Sequence, residues 1–244
     1  MSDTDARAAR LALERLLPAN AWGLPIGFAD AVEGYVGLLL EANRRLNLTR
    51  VVEPDAVARL HLLDALASLP ILDSLAPARA VDLGSGGGVP GIVLALARPQ
   101  VKWTLVDSVG KKADALRGFV DALGISNAEV IAARAEDLGR DPAHRERYDV
   151  VTARACASLP VLVEYALPLL SVGGTLLAWK GPMSDDEVRA GAAATAELGG
   201  LTPGVRPTEL DALGEHRFVV VSKNRPTPSR YPRRAGHPAR RPLG

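Results

Sequence analysis

Residues 82–91 combine an acidic residue with five glycines, a composition typical of a ligand-binding loop. The segment follows an apolar run that predicts a strand. It leads into a predicted helix opening at Pro90, a residue that the first helical turn tolerates. Glycines let backbone N–H groups approach a ligand closely. Asp82, at the predicted strand end, would reach a positively charged group on that ligand. Asp107 ends the next apolar run, where a carboxylate can hold a ribose diol. These features predict a site for S-adenosylmethionine.

A dinucleotide site is the main alternative to this interpretation. Gly86, Gly88 and Gly91 fall in the G-x-G-x-x-G register that NAD-binding loops use. The register Gly84-x-Gly86-x-Gly88, with Asp82 directly before it, favours the methyl donor instead. A glycine turn that binds nothing also remains open at this point.

The order of the predicted elements indicates an α/β protein with a doubly wound sheet. Apolar runs alternate with segments of helical spacing, and two possible strands within residues 205–221 are joined by a loop too short for a helix. We therefore expect a class I (Rossmann-like) methyltransferase fold, with a mostly parallel seven-stranded sheet, helices on both faces and one antiparallel strand. A dehydrogenase usually adds a catalytic domain, for which this chain has no room.

Three regions are predicted along the chain. Residues 1–70 read as a helical extension packed on the core, with helical spacing over 28–46 and from Pro54 to about Leu69. On the second of these helices His61 and Asp64 are neighbours, which favours a structural pair over a catalytic one. Residues 71–224 would form the S-adenosylmethionine-binding core. Residues 225–244 are rich in proline and arginine and are expected to be a flexible, extended tail.

Charge is unevenly distributed, although the net charge is only +1. The tail holds six arginines and no acid, whereas the rest of the chain has 23 basic against 28 acidic residues. A basic arm on an acidic body suggests contact with phosphate backbones, and a solubilising disordered end is the alternative.

A single cysteine, Cys156, fits a reducing cytoplasm. No stretch is long and apolar enough to span a membrane.

The ends of the third and fourth strands should complete the site, because ligands bind there in such sheets. Ala135 would face an adenine ring, with Glu136 or Asp137 near its amino group. At the fourth strand end, enzymes that methylate exocyclic amino groups carry an Asn/Asp-Pro-Pro-aromatic loop, whereas this chain has Thr152-Ala153-Arg154-Ala155. Cys156 lacks the proline that usually precedes a nucleophilic cysteine. An acceptor that already offers a lone pair, such as guanine N7, fits best, with catalysis mainly by positioning.

Several motifs, in this order, resemble those of the RsmG (GidB) family, which makes 7-methylguanosine in small-subunit ribosomal RNA. They are Asn47-Leu48-Thr49, Arg59-Leu60-His61-Leu62-Leu63-Asp64, the loop of residues 82–91, Val106-Asp107-Ser108-Val109-Gly110-Lys111-Lys112, Ala133-Arg134-Ala135-Glu136, Thr152-Ala153-Arg154-Ala155 and Trp179-Lys180-Gly181. The resemblance implies methyl transfer to guanine N7 at position 527 of 16S rRNA, in the usual rRNA numbering. The alternatives are a dinucleotide-dependent oxidoreductase and an RNA-binding module without activity.

The resemblance also implies roles for particular residues. A methyl-donor site is expected at Gly84, Val89, Ala135, Glu136 and Arg154, flanked by Asp82 and Asp107, with Gly86 and Gly88 in the same loop. The substrate-side candidates are Arg154, Lys180 and His61, with Lys111 and Lys112, and no catalytic residue is identified. Ala65 departs from the serine that many members carry. The expected partner is 16S rRNA or the small ribosomal subunit, and we expect no metal, no membrane contact, a cytoplasmic location and a monomer.

Overall fold

The computed structural model describes residues 2–17 and 22–244, so Met1 and residues 18–21 of the predicted extension lie outside the described residues. Its centre is one seven-stranded sheet with the strand order β3-β2-β1-β4-β5-β7-β6. The strands are β1 (Arg79–Leu83), β2 (Lys102–Asp107), β3 (Ala128–Ala132), β4 (Tyr148–Arg154), β5 (Leu170–Lys180), β6 (Gly204–Pro207) and β7 (Arg217–Ser222).

One strand runs against the others, as predicted. β1 pairs in parallel with β2 and β4, and β2 with β3 and β4 with β5 are also parallel. β7 is antiparallel to both β5 and β6. In its register Arg217 lies opposite Lys180, and Ser222 lies opposite Thr175. The start of β7 therefore lies at the edge of the sheet where the parallel strands end.

Helices cover both faces of the sheet, and each face has its own apolar core. Alternate residues of β1 separate the two cores: Ala80 belongs to the first and Val81 to the second. The helices are α1 (Ser2–Leu16), α2 (Phe28–Leu46), α3 (Pro54–Val57), α4 (Asp64–Leu66), α5 (Leu69–Leu75), α6 (Gly91–Ala97), α7 (Gly110–Ala122), α8 (Ala135–Leu138), α9 (Leu159–Ala166), α10 (Asp185–Leu198) and α11 (His237–Arg240). The first core contains α1 to α7, and the second contains α8, α9 and α10.

The helix predicted from Pro54 to about Leu69 has an unusual middle. Between α3 and α4 the chain forms a π-helical segment, Ala58–Leu63, and the Asp64 N–H donates to the Arg59 carbonyl oxygen. Wide π-turns of this kind are rare and are often found at functional sites. This one lies beside the end of β4, where Arg154 donates to the carbonyl oxygen of Leu60 at 2.6 Å.

The C-terminal segment, residues 225–244, differs from the flexible tail expected from its composition. Tyr231 is buried in the second core, and the Arg233 side chain pairs with the fully buried carboxylate of Glu164. Composition predicted exposure because proline and arginine rarely pack. A buried carboxylate needs a cationic partner, however, and here that partner is Arg233.

No helix among the described residues is long and apolar enough to cross a membrane. In the same part of the chain, no group of three or more His, Cys, Asp and Glu side chains could hold a metal ion.

Candidate functional site

The glycine loop leaves β1 and is fixed by the end of β2. The N–H groups of Gly84 and Ser85 both donate to the carbonyl oxygen of Val106, at 2.9 and 3.0 Å. Asp107 is buried and accepts from the Gly86 N–H at 2.9 Å through Oδ2, and from the Val109 N–H at 2.8 Å through Oδ1. Gly84 and Gly86 have φ values of +70° and +56°, a region that favours glycine. Asp107 thus orders the loop, and each of its oxygens keeps a second lone pair for a ligand.

Asp82 does not have the position that the sequence suggested. Its side chain is fully buried beneath the loop, where Oδ1 accepts from Thr152 Oγ1 at 2.7 Å and Oδ2 accepts from the Gly91 N–H at 3.3 Å. Burial raises the pKa of this carboxyl group to about 6. A carboxylate at a strand end is adjacent to the ligand loop in sequence, but this one faces the start of α6. It supports the loop and is not exposed at its surface.

A cavity of about 190 Å³ opens over the glycine loop. It brings together Gly84, Gly86, Val89, Arg154 and His61, all of which the sequence had singled out. Its remaining lining residues include Leu39, Leu48, Thr49 and Lys112. We call it the donor cavity, after the role that we propose for it.

Gly88 has a packing role and does not line the donor cavity. A Cβ at this position would meet Ile92 Cδ1 at 2.6 Å and Tyr35 Oη at 3.2 Å. The loop therefore packs closely on α6 and α2 at this glycine.

Arg154, at the end of β4, is held by three acceptors on the π-helical segment and α4. Its guanidinium donates to the Leu60 carbonyl oxygen at 2.6 Å, to Asp64 Oδ2 at 3.0 Å and to His61 Nδ1 at 3.0 Å. His61 Nδ1 also lies 3.1 Å from the Leu60 carbonyl oxygen. Because a guanidinium can only donate, we assign Nδ1 as the acceptor from Arg154 and Nε2–H as the donor to Thr49 Oγ1 at 2.7 Å. Burial, with the nearby Arg154 charge, lowers the pKa of His61 to about 4, so the ring is neutral at pH 7.

His61 and Asp64 were predicted to form a pair with each other. In the described residues they are instead joined through Arg154, and Asp64 Oδ1 accepts from His216 Nδ1 at 2.9 Å. Asp64 is nearly fully buried, whereas the His216 side chain is 43% exposed. The carboxylate therefore links the guanidinium to a histidine that solvent and ligands can reach.

A second cavity of about 370 Å³ lies on the other side of Arg154. Arg154 and Ala155 line both cavities, so they form the wall between them. Lys180 lies in the second cavity and donates to Glu187 Oε1 at 2.7 Å and to the Ala157 carbonyl oxygen at 3.1 Å. The other lining residues are Leu60, Asp64, Trp179, Gly181, His216 and Arg217. We call it the acceptor cavity, after the role that we propose for it.

The loop after β3 supplies Ala135 and Glu136, which begin α8. Neither residue lines the donor cavity, but Glu136 is close enough for its charge to act on Cys156, as do the charges of Asp82 and Asp107. Loss of water around the sulfur, followed by these three carboxylates, raises the pKa of Cys156 to about 11, although the residue as a whole is exposed. A Cβ at Gly84 would lie 3.3 Å from the Cys156 sulfur, so these carboxylate charges act beside Gly84.

Two residues of the site could not be identified from the sequence. Tyr35 belongs to the apolar face of α2, and its hydroxyl donates to the Gly87 carbonyl oxygen at 2.8 Å. Helical spacing marked it only as a core residue. His216 comes just before the last strand, and its only sequence signal was that predicted strand start. Lys111 is exposed and does not line the donor cavity, whereas its neighbour Lys112 does.

The sheet order, its single antiparallel strand and the helices on both faces define a class I methyltransferase fold, as predicted. A solved structure, the O-methyltransferase from Bacillus cereus in complex with SAH, is similar with a TM-score of 0.58 at 16% identity, covering 91% of this chain and 100% of that chain.

The family described as GidB, rRNA small subunit methyltransferase G, matches residues 29–203. A ribosomal RNA small subunit methyltransferase G from Rubrobacter xylanophilus is 45% identical, with 97% of this chain and 92% of the relative covered. The relative of the same name from Roseiflexus castenholzii is also 45% identical, over 94% of this chain and 99% of its own length. The chain belongs to the rRNA small subunit methyltransferase G family, which confirms the resemblance seen in its motifs.

Proposed function

We propose that this protein is a methyltransferase that uses S-adenosylmethionine to methylate N7 of a guanine in 16S rRNA, at position 527 in the rRNA numbering. The observation that carries the proposal is the pair of adjoining cavities with Arg154 between them, in a chain of this family. One cavity suits the donor and the other suits the acceptor base.

The charges around the glycine loop fit S-adenosylmethionine. Asp82, Asp107 and Glu136 create a negative potential at the nearby sulfur of Cys156. Such a potential attracts the cationic sulfonium and ammonium groups of the donor, and it repels the pyrophosphate of a dinucleotide. We therefore favour methyl transfer over the dinucleotide-dependent alternative.

Each part of the donor would have its own residues. Gly84, Gly86 and Val89 offer a close backbone surface, Asp107 would accept from the ribose hydroxyls, and Ala135 and Glu136 would hold the adenine. When bound, S-adenosylmethionine supplies an electrophilic methyl group on its sulfonium sulfur. Arg154 would lie at the junction of the two cavities, where the donor methyl group must meet guanine N7, and its fixed guanidinium would keep the edge of that junction in place.

The acceptor guanine would enter the acceptor cavity, where Trp179, Lys180, His216 and Arg217 lie. Guanine N7 already carries a lone pair, so no general base has to remove a proton from it. The chain's contribution is then to align the base and exclude water, which is catalysis by positioning. The high pKa of Cys156 keeps its thiol protonated at neutral pH, which argues against a nucleophilic cysteine.

The partner we propose is 16S rRNA or a small ribosomal subunit, and the location is the cytoplasm. Lys180, Arg217 and Lys112 at the two cavities, and the exposed Lys111 beside them, would contact phosphate groups. We further propose that the protein acts as a monomer. It would need no metal, since positioning alone suffices for this acceptor.

Two measurements test the proposal. Isothermal calorimetry of the full-length protein should detect binding of S-adenosylmethionine and no binding of NAD. Incubation with the donor and 16S rRNA, followed by mass spectrometry, should locate a new methyl group on guanine N7. Binding of NAD alone, or a methyl group on another atom, would reject the proposed reaction.

A further inference from the structure

We propose that the C-terminal segment, residues 225–244, is part of the donor site, because it positions the Glu136 carboxylate. This inference rests on the function proposed above, in which Glu136 holds the adenine. It replaces the idea that the segment is only a basic arm for RNA.

The segment is anchored through Arg233. Its backbone N–H and Nε donate to Glu164 Oε1 at 2.8 and 2.9 Å, and its Nη2 donates to Glu164 Oε2 at 2.5 Å. Glu164 is fully buried on α9, and these hydrogen bonds offset the free energy cost of removing its carboxylate from water. An ion pair with several hydrogen bonds of this kind fixes geometry more strongly than a single contact.

Three residues further on, the segment reaches the donor site. The Gly236 N–H donates to Glu136 Oε1 at 2.7 Å, and Glu136 is buried. Among the described residues, Oε2 of the same carboxylate makes no hydrogen bond, so it remains available to accept from a ligand. One oxygen is fixed by the C-terminal segment and the other is left for binding.

The loop that carries Glu136 depends on this support, because α8 has only four residues and a helix so short is unstable by itself. Just after α8, Arg140 Nε donates to the Pro232 carbonyl oxygen at 2.8 Å. Arg145 Nη1 donates both to the Tyr231 carbonyl oxygen at 2.7 Å and to the Gly139 carbonyl oxygen at 2.9 Å. The C-terminal segment therefore holds both ends of α8.

The neighbouring residue Arg234 gives a matched control. It is exposed and makes no ion pair within the described residues, whereas Arg233 is fixed on Glu164. Arg233→Gln and Arg234→Gln remove the same charge from adjacent positions of the same segment. Only the first should release Glu136.

The test is calorimetric titration of the full-length variants with S-adenosylmethionine. We expect Arg233→Gln to raise the Kd about tenfold, as for loss of one charged hydrogen bond, Arg233→Lys to raise it less, and Arg234→Gln to leave it unchanged. In a Glu136→Ala background, Arg233→Gln should add less than about twofold, because Arg233 acts through Glu136. If Arg233 only stabilised the fold, the losses of affinity from Arg233→Gln and Glu136→Ala would add. That result would overturn the proposal.

Amide hydrogen exchange on the unmodified protein provides a measurement that does not depend on a variant folding. Addition of S-adenosylmethionine should slow exchange in residues 135–139 and 233–237 together. Protection of the first group alone would overturn the proposal, as would equal Kd values for Arg233→Gln and Arg234→Gln. Failure of the unmodified protein to bind S-adenosylmethionine would reject the proposed function as well, so the two failures are distinguishable.

Discussion

Arg154 Nη1 donates to Asp64 Oδ2 at 3.0 Å, and this contact joins the end of β4 to a helix segment 90 residues earlier in the chain. Asp64 is nearly fully buried, so its charge relies on this guanidinium and on His216. The same guanidinium separates the two cavities. The Arg154–Asp64 ion pair therefore stabilises the buried Asp64 charge and also fixes the boundary between the two cavities.

Removal of the guanidinium should destabilise the fold. Arg154→Met leaves the Asp64 charge buried beside an apolar side chain, and we expect the free energy of unfolding to fall by about 3 kcal/mol. Arg217→Met, at the same cavity but without a buried partner carboxylate, should change it by less than about 0.5 kcal/mol. Urea denaturation at pH 7 measures both. Equal effects would show that Asp64 does not need Arg154.

Substitution of His216 should weaken the interaction with rRNA and leave the binding of S-adenosylmethionine unchanged. Its side chain is partly exposed in the acceptor cavity and does not line the donor cavity. We expect His216→Ala to raise the KM for rRNA about tenfold, as for a lost hydrogen bond, with the Kd for S-adenosylmethionine unchanged. Glu215→Ala, at the exposed neighbour, is the control. An unchanged KM for rRNA would place the acceptor elsewhere.

Cys156 should be dispensable for the reaction. Its pKa is raised to about 11, so the thiolate that a covalent mechanism requires is scarce at pH 7. We expect Cys156→Ser to keep kcat for rRNA methylation within about twofold of the unmodified protein. A loss of more than about a hundredfold would instead indicate a covalent step.

Gly91 should tolerate no side chain, because α6 begins directly against β1 and β2. A Cβ there would meet Leu105 Cδ2 at 2.5 Å and Asp82 Oδ2 at 2.7 Å. We expect Gly91→Ala to lower the free energy of unfolding by about 2 kcal/mol. Gly118→Ala, on the exposed face of α7 with no atom near the added Cβ, should raise it by about 1 kcal/mol. Thermal and urea unfolding of the two variants should shift in opposite directions.

His61 makes stability depend on pH. Its folded-state pKa of about 4 lies below the ordinary 6.5, so the unfolded chain takes up the proton first as the pH falls. The stability from the neutral ring is complete above pH 6.5 and is lost between 6.5 and about 4. Between pH 7 and pH 5, we expect the free energy of unfolding of the unmodified protein to fall by about 2 kcal/mol more than that of His61→Gln.

Asp82 changes the free energy of unfolding in the opposite direction as the pH falls. It does so equally in His61→Gln and in the unmodified protein. Its pKa is raised from 3.8 to about 6, so protonation stabilises the fold as the pH falls through 6. The comparison between His61→Gln and the unmodified protein cancels this contribution. Parallel stability curves for the two would contradict the assigned protonation state of His61.

The sheet could be predicted because its signals are local. Apolar runs alternating with helical segments indicated the doubly wound sheet, and α2 has the predicted bounds, 28–46, since such patterns mark segments directly. The single reversed strand followed from the short connection before β7. These features depend on neighbouring residues, which a sequence displays side by side.

The features that could not be predicted depend on distant residues. Arg233 and Glu164 are 69 positions apart, so nothing near Arg233 indicated that this arginine has a buried partner. The direction of the Asp82 side chain depends on Thr152, which lies on another strand. His216 and Asp64 are separated by 152 positions, and their contact depends on the position of β7 in the sheet.

Because β7 is antiparallel to β5, the segments before and after it lie at opposite edges of the sheet. Because Arg217 lies opposite Lys180, the strand starts among the residues that we assign to the nucleic acid. Because Ser222 lies opposite Thr175, it finishes at the far rim, and the chain must travel back over α10 and α9 before Gly236 can meet Glu136. The orientation of a single strand thus decides which ligand each flanking segment serves.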